Sequence, residues 1–280
     1  MLLNLCRRTA KGEQNLDTQA LEQIHKLVVQ AGDIAIRAFR SGQPTTAQVR
    51  YKNGMSPVTQ ADLDVNDFLQ QHLRALYPDF GWLSEETADD HARLAQESVF
   101  ILDPIDGTRA FMAGNPCWTV SLALVERGAA ELAVLHAPAL NQTFLARRGQ
   151  GARLNTVVLS PSGLSQPLSA QSLVRAAGPK PMLELCAAAF ALEVHPKMPS
   201  LAYRLAHVAA GGIDLALAGP NAHDWDIVAA DLILAEAGFC LSDLDGRKPI
   251  YNKQETQHGA LVAARGPLHR AALAALQHSS

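Results

Sequence analysis

Residues 98–108 read S-V-F-I-L-D-P-I-D-G-T, and this stretch decides how the fold is interpreted. Its opening residues, 98–102, are mostly apolar and predict a short buried strand. Two carboxylates, Asp103 and Asp106, follow where that strand ends. Gly107 then lets the backbone approach a ligand closely, because it carries no side chain. The stretch therefore predicts a strand that ends in an acidic turn, for which a purely structural protein has little use.

The composition of this turn favours a bound cation and a bound anion. Carboxylates as close in sequence as Asp103 and Asp106 repel each other unless a cation lies between them. The hard cation Mg²⁺ prefers carboxylate, carbonyl and water oxygens, and phosphate often completes its shell. Thr108 adds a hydroxyl near a predicted helix start, where free N–H groups favour an anion. The turn is therefore a candidate site for a divalent cation and a phosphate group.

Further acidic residues lie beside other predicted strand and helix ends. Glu85 and Glu86 follow the predicted short strand 81–83. Asp226 lies where a helix is predicted to begin, and Asp62 lies at or near another helix start. Each has an ordinary explanation as a turn former, a helix cap or a solvated pair. Their occurrence together with the acidic turn is far more specific than any one of them.

Strands and helices alternate along the chain, which favours a layered α/β or α+β architecture. The predicted helices span residues 17–39, 60 to before 78, 182–191, 201–210 and 225–237, with a last helix from 267. The predicted strands span residues 98–102, 118–125, 132–136, 142–146, 213–217 and 260–264, and the second and third form a hairpin. The length suggests about two units, although one large α/β domain also fits, and a change in the sequence pattern near residue 160 divides the chain into 1–160 and 161–280.

Composition argues against several classes of function. Of the 280 residues, 48% are hydrophobic, so the chain can bury a large core. Lys and Arg total 24 against 27 Asp and Glu, and this balance argues against binding to a nucleic-acid polymer. No apolar run approaches the roughly 18–20 residues that cross a bilayer, so no membrane association is expected. The cysteines Cys6, Cys117, Cys186 and Cys240 are far apart, so we expect reduced thiols in a cytoplasmic protein.

These segments, taken together and in order, resemble those of the inositol monophosphatase superfamily. D-P-I-D-G-T at 103–108 and W-D-I-V-A-A-D-L-I-L-A-E-A-G at 225–238 are similar to its two signatures. S-P-V-T-Q-A-D at 56–62 and S-E-E at 84–86 stand where the family has matching segments. The resemblance implies an α/β (α+β) sandwich layered helix–sheet–helix–sheet–helix. It also implies a Mg²⁺-dependent, lithium-sensitive phosphomonoesterase that acts on a small phosphorylated metabolite.

The resemblance assigns metal ligands residue by residue. They are Glu85, Asp103, the backbone carbonyl of Ile105, Asp106 and Asp226, and they would hold two or three Mg²⁺ ions. Glu86 remains an alternative to Glu85, because the two are adjacent in the sequence. Most of these ligands belong to the N-terminal unit, and the C-terminal unit completes the site.

The resemblance also assigns catalytic and substrate contacts. Asp62 and Thr108 would orient or deprotonate the attacking water, and Glu85 is grouped with them as catalytic. The backbone N–H groups of Gly107 and Thr108 would hold the phosphate, and Asp226 would contact the substrate as well as a metal ion. The hairpin strands could supply the interface of a homodimer.

The substrate is indicated by weaker features. Inositol monophosphatases usually carry a Glu seven residues before the position of Asp226, and here that position is Gly219. The segment G-P-N-A-H-D-W-D at 219–226 resembles bacterial 3'(2'),5'-bisphosphate nucleotidases instead. Lys52 and Arg204 would then hold the second phosphate of 3'-phosphoadenosine 5'-phosphate.

Alternative functions stay open from the sequence. G-N-P at 114–116 resembles inositol and histidinol phosphatases, so inositol-1-monophosphatase and histidinol-phosphate phosphatase are the enzymatic alternatives. A regulatory binding subunit with vestigial activity is the non-enzymatic one. The complete set of acids argues against it, because a binding module needs no cage for two metal ions.

Overall fold

The computed structural model of the protein describes residues 6–8, 14–16, 18–52, 56–160 and 173–277. Two antiparallel hairpins lie near the start of the chain. They are formed by β1 (Cys6–Arg8) with β2 (Gln14–Leu16), and by β3 (Val49–Lys52) with β4 (Ser56–Thr59).

The first layer consists of helices α1 (Thr18–Ile36) and α2 (Gln60–Leu76), which pack together on one face of a large sheet. Residues Ile24, Val28 and Ala31 of α1 recur at helical spacing and are fully buried. They join a core with Leu69 of α2 and the side chains of the sheet face that these helices cover. This amphipathic spacing is why the sequence predicted both helices.

The second layer is a sheet of seven strands that pair in chain order, from β5 to β11. The strands are β5 (Gly81–Ser84), β6 (Ser98–Asp106), β7 (Thr119–Glu126), β8 (Ala129–Ala137), β9 (Gln142–Arg147), β10 (Ala152–Leu154) and β11 (Val157–Leu159). Only the β5–β6 pair is parallel, and the short helix α3 (Thr108–Met112) follows β6.

The second half of the chain supplies the remaining three layers. A five-stranded sheet has the order β13-β12-β14-β18-β16. The elements are β12 (Val174–Ala177), α4 (Lys180–Ala187), β13 (Leu192–Val194), α5 (Leu201–Ala209), β14 (Leu215–Ala218), β15 (Ala222–His223), α6 (Asp224–Glu236), β16 (Cys240–Asp243), β17 (Gln257–His258), β18 (Leu261–Ala264) and α7 (Gly266–Gln277). Helices α5 and α6 lie between the two sheets, and α4 and α7 cover the outer face of the smaller one.

Helix α6 is the centre of the sandwich. Its residues Ile227, Val228, Leu232, Ile233 and Leu234 are all nearly or fully buried, although they point in different directions around the helix. A helix that is apolar all round needs neighbours on every side, and α6 contacts both sheets and α5. The predicted helix–sheet–helix–sheet–helix layering is therefore confirmed.

Most predicted elements occur in the structure, and the differences have simple causes. The hairpin of 118–125 and 132–136 is present as β7 and β8. The helix predicted over 182–191 ends at Ala187, because residues 192–194 instead pair as β13 with β12. The predicted start of α1, Asp17, lies outside the described residues. The division after residue 160 also stays a prediction, since residues 161–172 lie outside them as well.

Two features of the fold bear on the predictions about membranes and partners. In the described ranges, no helix combines the length and the apolar character that crossing a bilayer requires. Strands β7 and β8 occupy the interior of the large sheet, so the hairpin offers no free sheet edge to a partner. The homodimer and the cytoplasmic location stay predictions.

Candidate metal centre and active site

The two carboxylates predicted to lie in a turn after the strand instead lie within β6, which continues to Asp106, and both are buried. Asp103 is 2% exposed and Asp106 is 6% exposed. The pairing of β6 with β7 shifts register between these two residues, an irregularity that re-aims side chains at a strand end. One carboxylate oxygen from each of Asp103, Asp106 and Asp226 lies within 4.8 Å of the others. The structure therefore brings together acids that are more than a hundred residues apart in the sequence.

Helix N-termini hold two of these carboxylates. Asp106 accepts hydrogen bonds from Ser200 Oγ at 2.5 Å, from Leu201 N at 3.2 Å and from Ala202 N at 2.7 Å, at the start of α5. Asp226 accepts a hydrogen bond from His223 N at 2.6 Å, at the start of α6. The free N–H groups of a helix start stabilise negative charge, so both carboxylates are oriented by backbone donors.

Burial raises the pKa values of these acids, and the charges of neighbouring acids add to the rise for Asp103 and Asp226. Burial, followed by the charges of Glu85, Asp106 and Asp226, holds the pKa of Asp103 well above its usual range. Burial and the charge of Asp106 do the same to Asp226. For Asp106, burial raises the pKa although the hydrogen bonds from Ser200 and the α5 backbone oppose it. A buried set of oxygen donors that repel one another fits a hard divalent cation, which would neutralise them.

The adjacent glutamates occupy different environments. Burial raises the pKa of Glu85 to about 7, with Lys52 opposing the rise and Glu86 adding to it. The Glu85 charge also contributes to the raised pKa values of Asp103 and Asp226. Glu86 instead forms an ion pair with Lys52 Nζ at 2.7 Å, against 3.8 Å for Glu85. Glu85 is therefore the glutamate whose charge acts on Asp103 and Asp226, and its role as a metal ligand stays a prediction.

Lys52 lies beside these glutamates. Its Nζ also donates a hydrogen bond to the backbone oxygen of Glu85 at 3.2 Å. In this position it offsets part of the negative charge of the glutamate pair. Its role as a contact to a second phosphate stays a prediction.

The predicted catalytic pair is brought together from different elements. Asp62, in the first turn of α2, accepts hydrogen bonds from the backbone N (2.8 Å) and the hydroxyl (2.6 Å) of Thr59. The hydroxyl of Thr108 lies 3.2 Å from Asp62 Oδ1 and 3.0 Å from the Ile105 carbonyl oxygen. Burial raises the pKa of Asp62 to about 6, although the Thr59 hydrogen bonds oppose the rise.

Gly107 has a left-handed backbone conformation, which favours glycine at this position. Its φ is +93°, and a Cβ there would lie 3.2 Å from Cys117 O and 3.3 Å from Ser200 N. A side chain would be strained at this φ and crowded by the backbone around Asp106. This close packing explains why glycine follows the acidic turn, while its contact to a phosphate stays a prediction.

Arg204 lines a cavity of about 760 Å³, whose lining residues, among those described, do not include the acids of the cluster. Its Nη1 donates a hydrogen bond to Met198 O at 3.1 Å, and its buried Nε has no hydrogen-bond partner among the described residues. Its charge also opposes the rise in the pKa of Asp106, so the two groups are close. The other basic residues of the cavity are Lys180, His195 and Lys197.

Ser200 is a site residue that was not predicted from the sequence. Its hydroxyl donates a hydrogen bond to Asp106 and also lies 3.3 Å from the Thr119 hydroxyl. A usable signal existed, because Ser200 directly precedes the predicted helix 201–210 and is a typical helix cap. Its side chain does accept a hydrogen bond from Tyr203 N at 3.1 Å. Its contact with Asp106 depends on the packing of α5 against β6, which no local pattern reveals.

The raised pKa values predict how stability depends on pH. Unfolded carboxyl groups titrate near pH 4. In the folded, metal-free protein, burial raises the pKa of Asp62 to about 6 and the pKa of Glu85 to about 7. The folded state then binds protons more tightly, so this stabilisation is complete below about pH 4 and lost as the pH rises through about 6–7. Because Mg²⁺ competes with these protons, we expect it to raise the melting temperature more at about pH 8 than at about pH 5.5.

Thermal melting with and without Mg²⁺ at both pH values measures this difference. Ca²⁺-free buffer with chelator provides the metal-free baseline at each pH. An equal Mg²⁺-induced rise at the two pH values would contradict the assignment of these carboxylates to a cation site.

Known proteins resemble this chain in both sequence and fold. The profile of the inositol monophosphatase family matches residues 17–280. A 3'(2'),5'-bisphosphate nucleotidase CysQ from Aggregatibacter actinomycetemcomitans is 31% identical over 256 residues, which cover 86% of this chain and 90% of the relative. A histidinol-phosphatase from Mycobacterium tuberculosis is 33% identical over 230 residues, which cover 78% of this chain and 84% of the relative.

The solved structure of the Thermotoga maritima IMPase has the same fold. It superposes with a TM-score of 0.76 at 25% identity, over 93% of this chain and 98% of that structure. The profile match and the relatives together show that the chain belongs to the inositol monophosphatase family, whose members are metal-dependent hydrolases of phosphate monoesters.

Proposed function

We propose that the protein is a Mg²⁺-dependent 3'(2'),5'-bisphosphate nucleotidase that hydrolyses 3'-phosphoadenosine 5'-phosphate. The cavity lined by Arg204 carries this proposal, because the charge of Arg204 also acts on Asp106 of the acidic cluster. The cavity volume of about 760 Å³ suits a small metabolite, and its charged lining residues include Arg204, Lys197 and the Lys180–Glu184 ion pair. A guanidinium and ammonium groups would bind a second phosphate by charge-assisted hydrogen bonds. The CysQ nucleotidase is among the relatives, but the histidinol-phosphatase has a similar identity, so the cavity and not the identity is the argument for the substrate.

The ligands proposed for two or three Mg²⁺ ions are Glu85, Asp103, the carbonyl of Ile105, Asp106 and Asp226. When bound, Mg²⁺ would lower the pKa of a water molecule and neutralise charge on the phosphate. The same donor set leads us to propose inhibition by lithium, which would compete for these oxygens.

The residues of the chain supply positioning and proton transfer. The Thr108 hydroxyl lies within reach of Asp62 Oδ1, so this pair can orient a water molecule and accept its proton. The water oxygen forms a bond to phosphorus, the ester P–O bond breaks, and the leaving alkoxide takes a proton to become the alcohol. The N–H groups of Gly107 and Thr108 would hold the phosphate during this step. Little covalent chemistry is left to the protein, so positioning and charge dominate.

The rim of the site, rather than the metal ligands, decides between substrates. Gly219 offers no carboxylate to the ring hydroxyls of inositol, and a site that lacks such a hydrogen bond loses that discrimination. The cationic cavity would favour a substrate with a second anionic group. Inositol 1-phosphate and histidinol phosphate carry one phosphate each and are the alternative substrates. The phosphatase relatives favour an enzyme over a regulatory binding subunit.

Side-by-side kinetics at saturating Mg²⁺ test the substrate. We expect kcat/KM for 3'-phosphoadenosine 5'-phosphate to exceed those for inositol 1-phosphate and histidinol phosphate by at least about tenfold, which is roughly 1.4 kcal/mol. Adenosine 3'-phosphate is the matched control, because it lacks only the 5'-phosphate, and it should be hydrolysed less efficiently. Equal or better hydrolysis of inositol 1-phosphate would overturn the nucleotidase proposal and favour the alternative.

A further inference from the structure

The turn that carries Glu85 is tied to helix α2 by a buried amide. Asn66 Oδ1 accepts hydrogen bonds from Ser84 Oγ at 2.8 Å and from Thr87 Oγ1 at 3.2 Å. These hydroxyls flank the glutamate pair on both sides. Asn66 is 4% exposed and Ser84 is 2% exposed, so water competes little for the contacts. The Oδ1 atom of Asn66 therefore accepts hydrogen bonds from the first and the last residue of the four-residue turn 84–87.

The hydrogen bonds around this turn have consistent directions. Asn66 Nδ2 donates to Asp67 Oδ1 at 3.1 Å, which leaves Oδ1 of the amide to face the hydroxyls. Thr87 Oγ1 accepts a hydrogen bond from Trp82 Nε1 at 3.2 Å, so its proton is free to be donated to Asn66. Ser84 Oγ likewise accepts from Glu86 N at 3.3 Å. The side-chain oxygens of Asn66, Ser84 and Thr87 therefore share one connected network, which fixes the turn more firmly than separate contacts would.

Glu85 needs such a restraint. Its carboxylate is buried among like charges, and Glu86, Asp62 and Asp106 all raise its pKa after burial itself. Its side chain is still 25% exposed, so an outward movement of the turn would relieve the repulsion by hydration. The hydrogen bonds to Asn66 oppose that movement in the absence of a cation.

Asn66 lies one helical turn after Asp62 on α2, and both residues are buried. A single helix therefore carries the proposed water-orienting carboxylate and the anchor of the Glu85 turn. We propose that Asn66 is a positioning residue that holds Glu85 at the distance from Asp62 and the acidic cluster that cation binding requires. This inference rests on the proposed metal-dependent function of the same site.

Calorimetric titration of the substrate-free protein with Mg²⁺ tests the inference directly. For Asn66→Ala we expect the Kd for Mg²⁺ to rise about tenfold, as happens when groups that orient metal ligands are removed. Alanine keeps the helix, since it is the best helix former. Gln71→Ala, at an exposed position on the same helix, is the matched control and should bind Mg²⁺ like the original protein. At saturating Mg²⁺, kcat should recover most of its value, because Asn66 does not touch the substrate.

A double-mutant cycle separates positioning from a general loss of stability. Thr87→Val removes one donor with little change in shape and should weaken Mg²⁺ binding in the same direction. If Asn66 acts through these hydroxyls, Asn66→Ala combined with Thr87→Val weakens binding less than the product of the single effects. Strictly multiplicative effects, or an unchanged Kd in both single variants, would overturn the proposal. If Asn66→Ala does not fold, the test uses Thr87→Val, Ser84→Ala and their double variant. The proposal then requires a raised Kd for Mg²⁺ in the single variants and a smaller combined effect than the product of the two.

The titration also distinguishes the two proposals from each other. If the original protein binds no Mg²⁺, the metal-dependent function itself fails. If the original protein binds Mg²⁺ and Asn66→Ala binds it equally well, the metal centre stands and the positioning role of Asn66 is wrong.

Discussion

Replacing Asp103 with asparagine is expected to abolish phosphatase activity while leaving the fold intact. Asp103 is buried, and its pKa is raised by burial and by the charges of Glu85, Asp106 and Asp226. Asparagine has the same shape and retains an oxygen that can accept the hydrogen bond from Ile105 N, now 3.0 Å from Asp103 Oδ1. It lacks the charge that a cation requires. We expect kcat/KM to fall by at least about 10³-fold, which corresponds to roughly 4 kcal/mol.

The same variant should respond differently to heat. Because removing one buried charge relieves repulsion, the metal-free variant should melt at a temperature no lower than the metal-free original protein. The Mg²⁺-induced rise in melting temperature should nearly vanish, because that rise depends on binding to the folded state. Asp79→Asn, at an exposed position, is the matched control for a lost surface charge. Turnover near that of the original protein would show that Asp103 holds no essential metal ion.

Replacing Thr108 with alanine is expected to lower kcat by roughly 10²–10⁴-fold, the scale of general acid–base assistance. The hydroxyl is within hydrogen-bond distance of both Asp62 Oδ1 and the Ile105 carbonyl, so its loss removes the group that, in the proposed mechanism, joins the Asp62 carboxylate to the attacking water. The substitution removes little volume from a half-buried position. KM should change little, since the proposed phosphate contacts of this residue are made by its backbone.

Thr108→Ser keeps the hydroxyl and is the matched control, with kcat expected within about tenfold of the original value. Steady-state kinetics on 3'-phosphoadenosine 5'-phosphate and on an alternative substrate measure both variants. An unchanged kcat with a raised KM in Thr108→Ala would instead place this hydroxyl in ground-state binding of the phosphate.

Local sequence patterns were sufficient for much of the fold. The apolar residues of α1 and α2 recur at helical spacing, and their burial on one sheet face follows from that spacing. The β7–β8 hairpin was predictable because apolar strands flank a turn that contains Gly128, whose φ is +82°. The short strands β10, β11, β12, β13 and β16 were missed. Strands of three or four residues carry too little periodicity to be recognised, and their pairing partners determine them.

The residues proposed to contact the substrate were the hardest to predict from the sequence. The basic cavity combines Arg204 of α5 with Lys180 at the start of α4 and Lys197 of the connection between them. These residues follow no motif, because a cavity wall requires only that side chains from different elements face the same space. Arg204 was named from its charge alone, and only the fold shows that it lies near Asp106.

The sequence by itself determined the layered fold, the family and the set of candidate acids, because strand ends, helix starts and the two signatures are local and linear. Tertiary structure decided how those acids are arranged. It placed Glu85 beside Asp103 and Asp226 while Glu86 pairs with Lys52, and it revealed Ser200 and Asn66 as partners of Asp106 and of the Glu85 turn. The physical reason is that a hydrogen bond needs its partners within about 3.5 Å, and charge interactions weaken as the distance between the groups grows. Their partners are therefore selected by the packing of α2, α5 and α6 around β6, and distance along the chain does not reveal them.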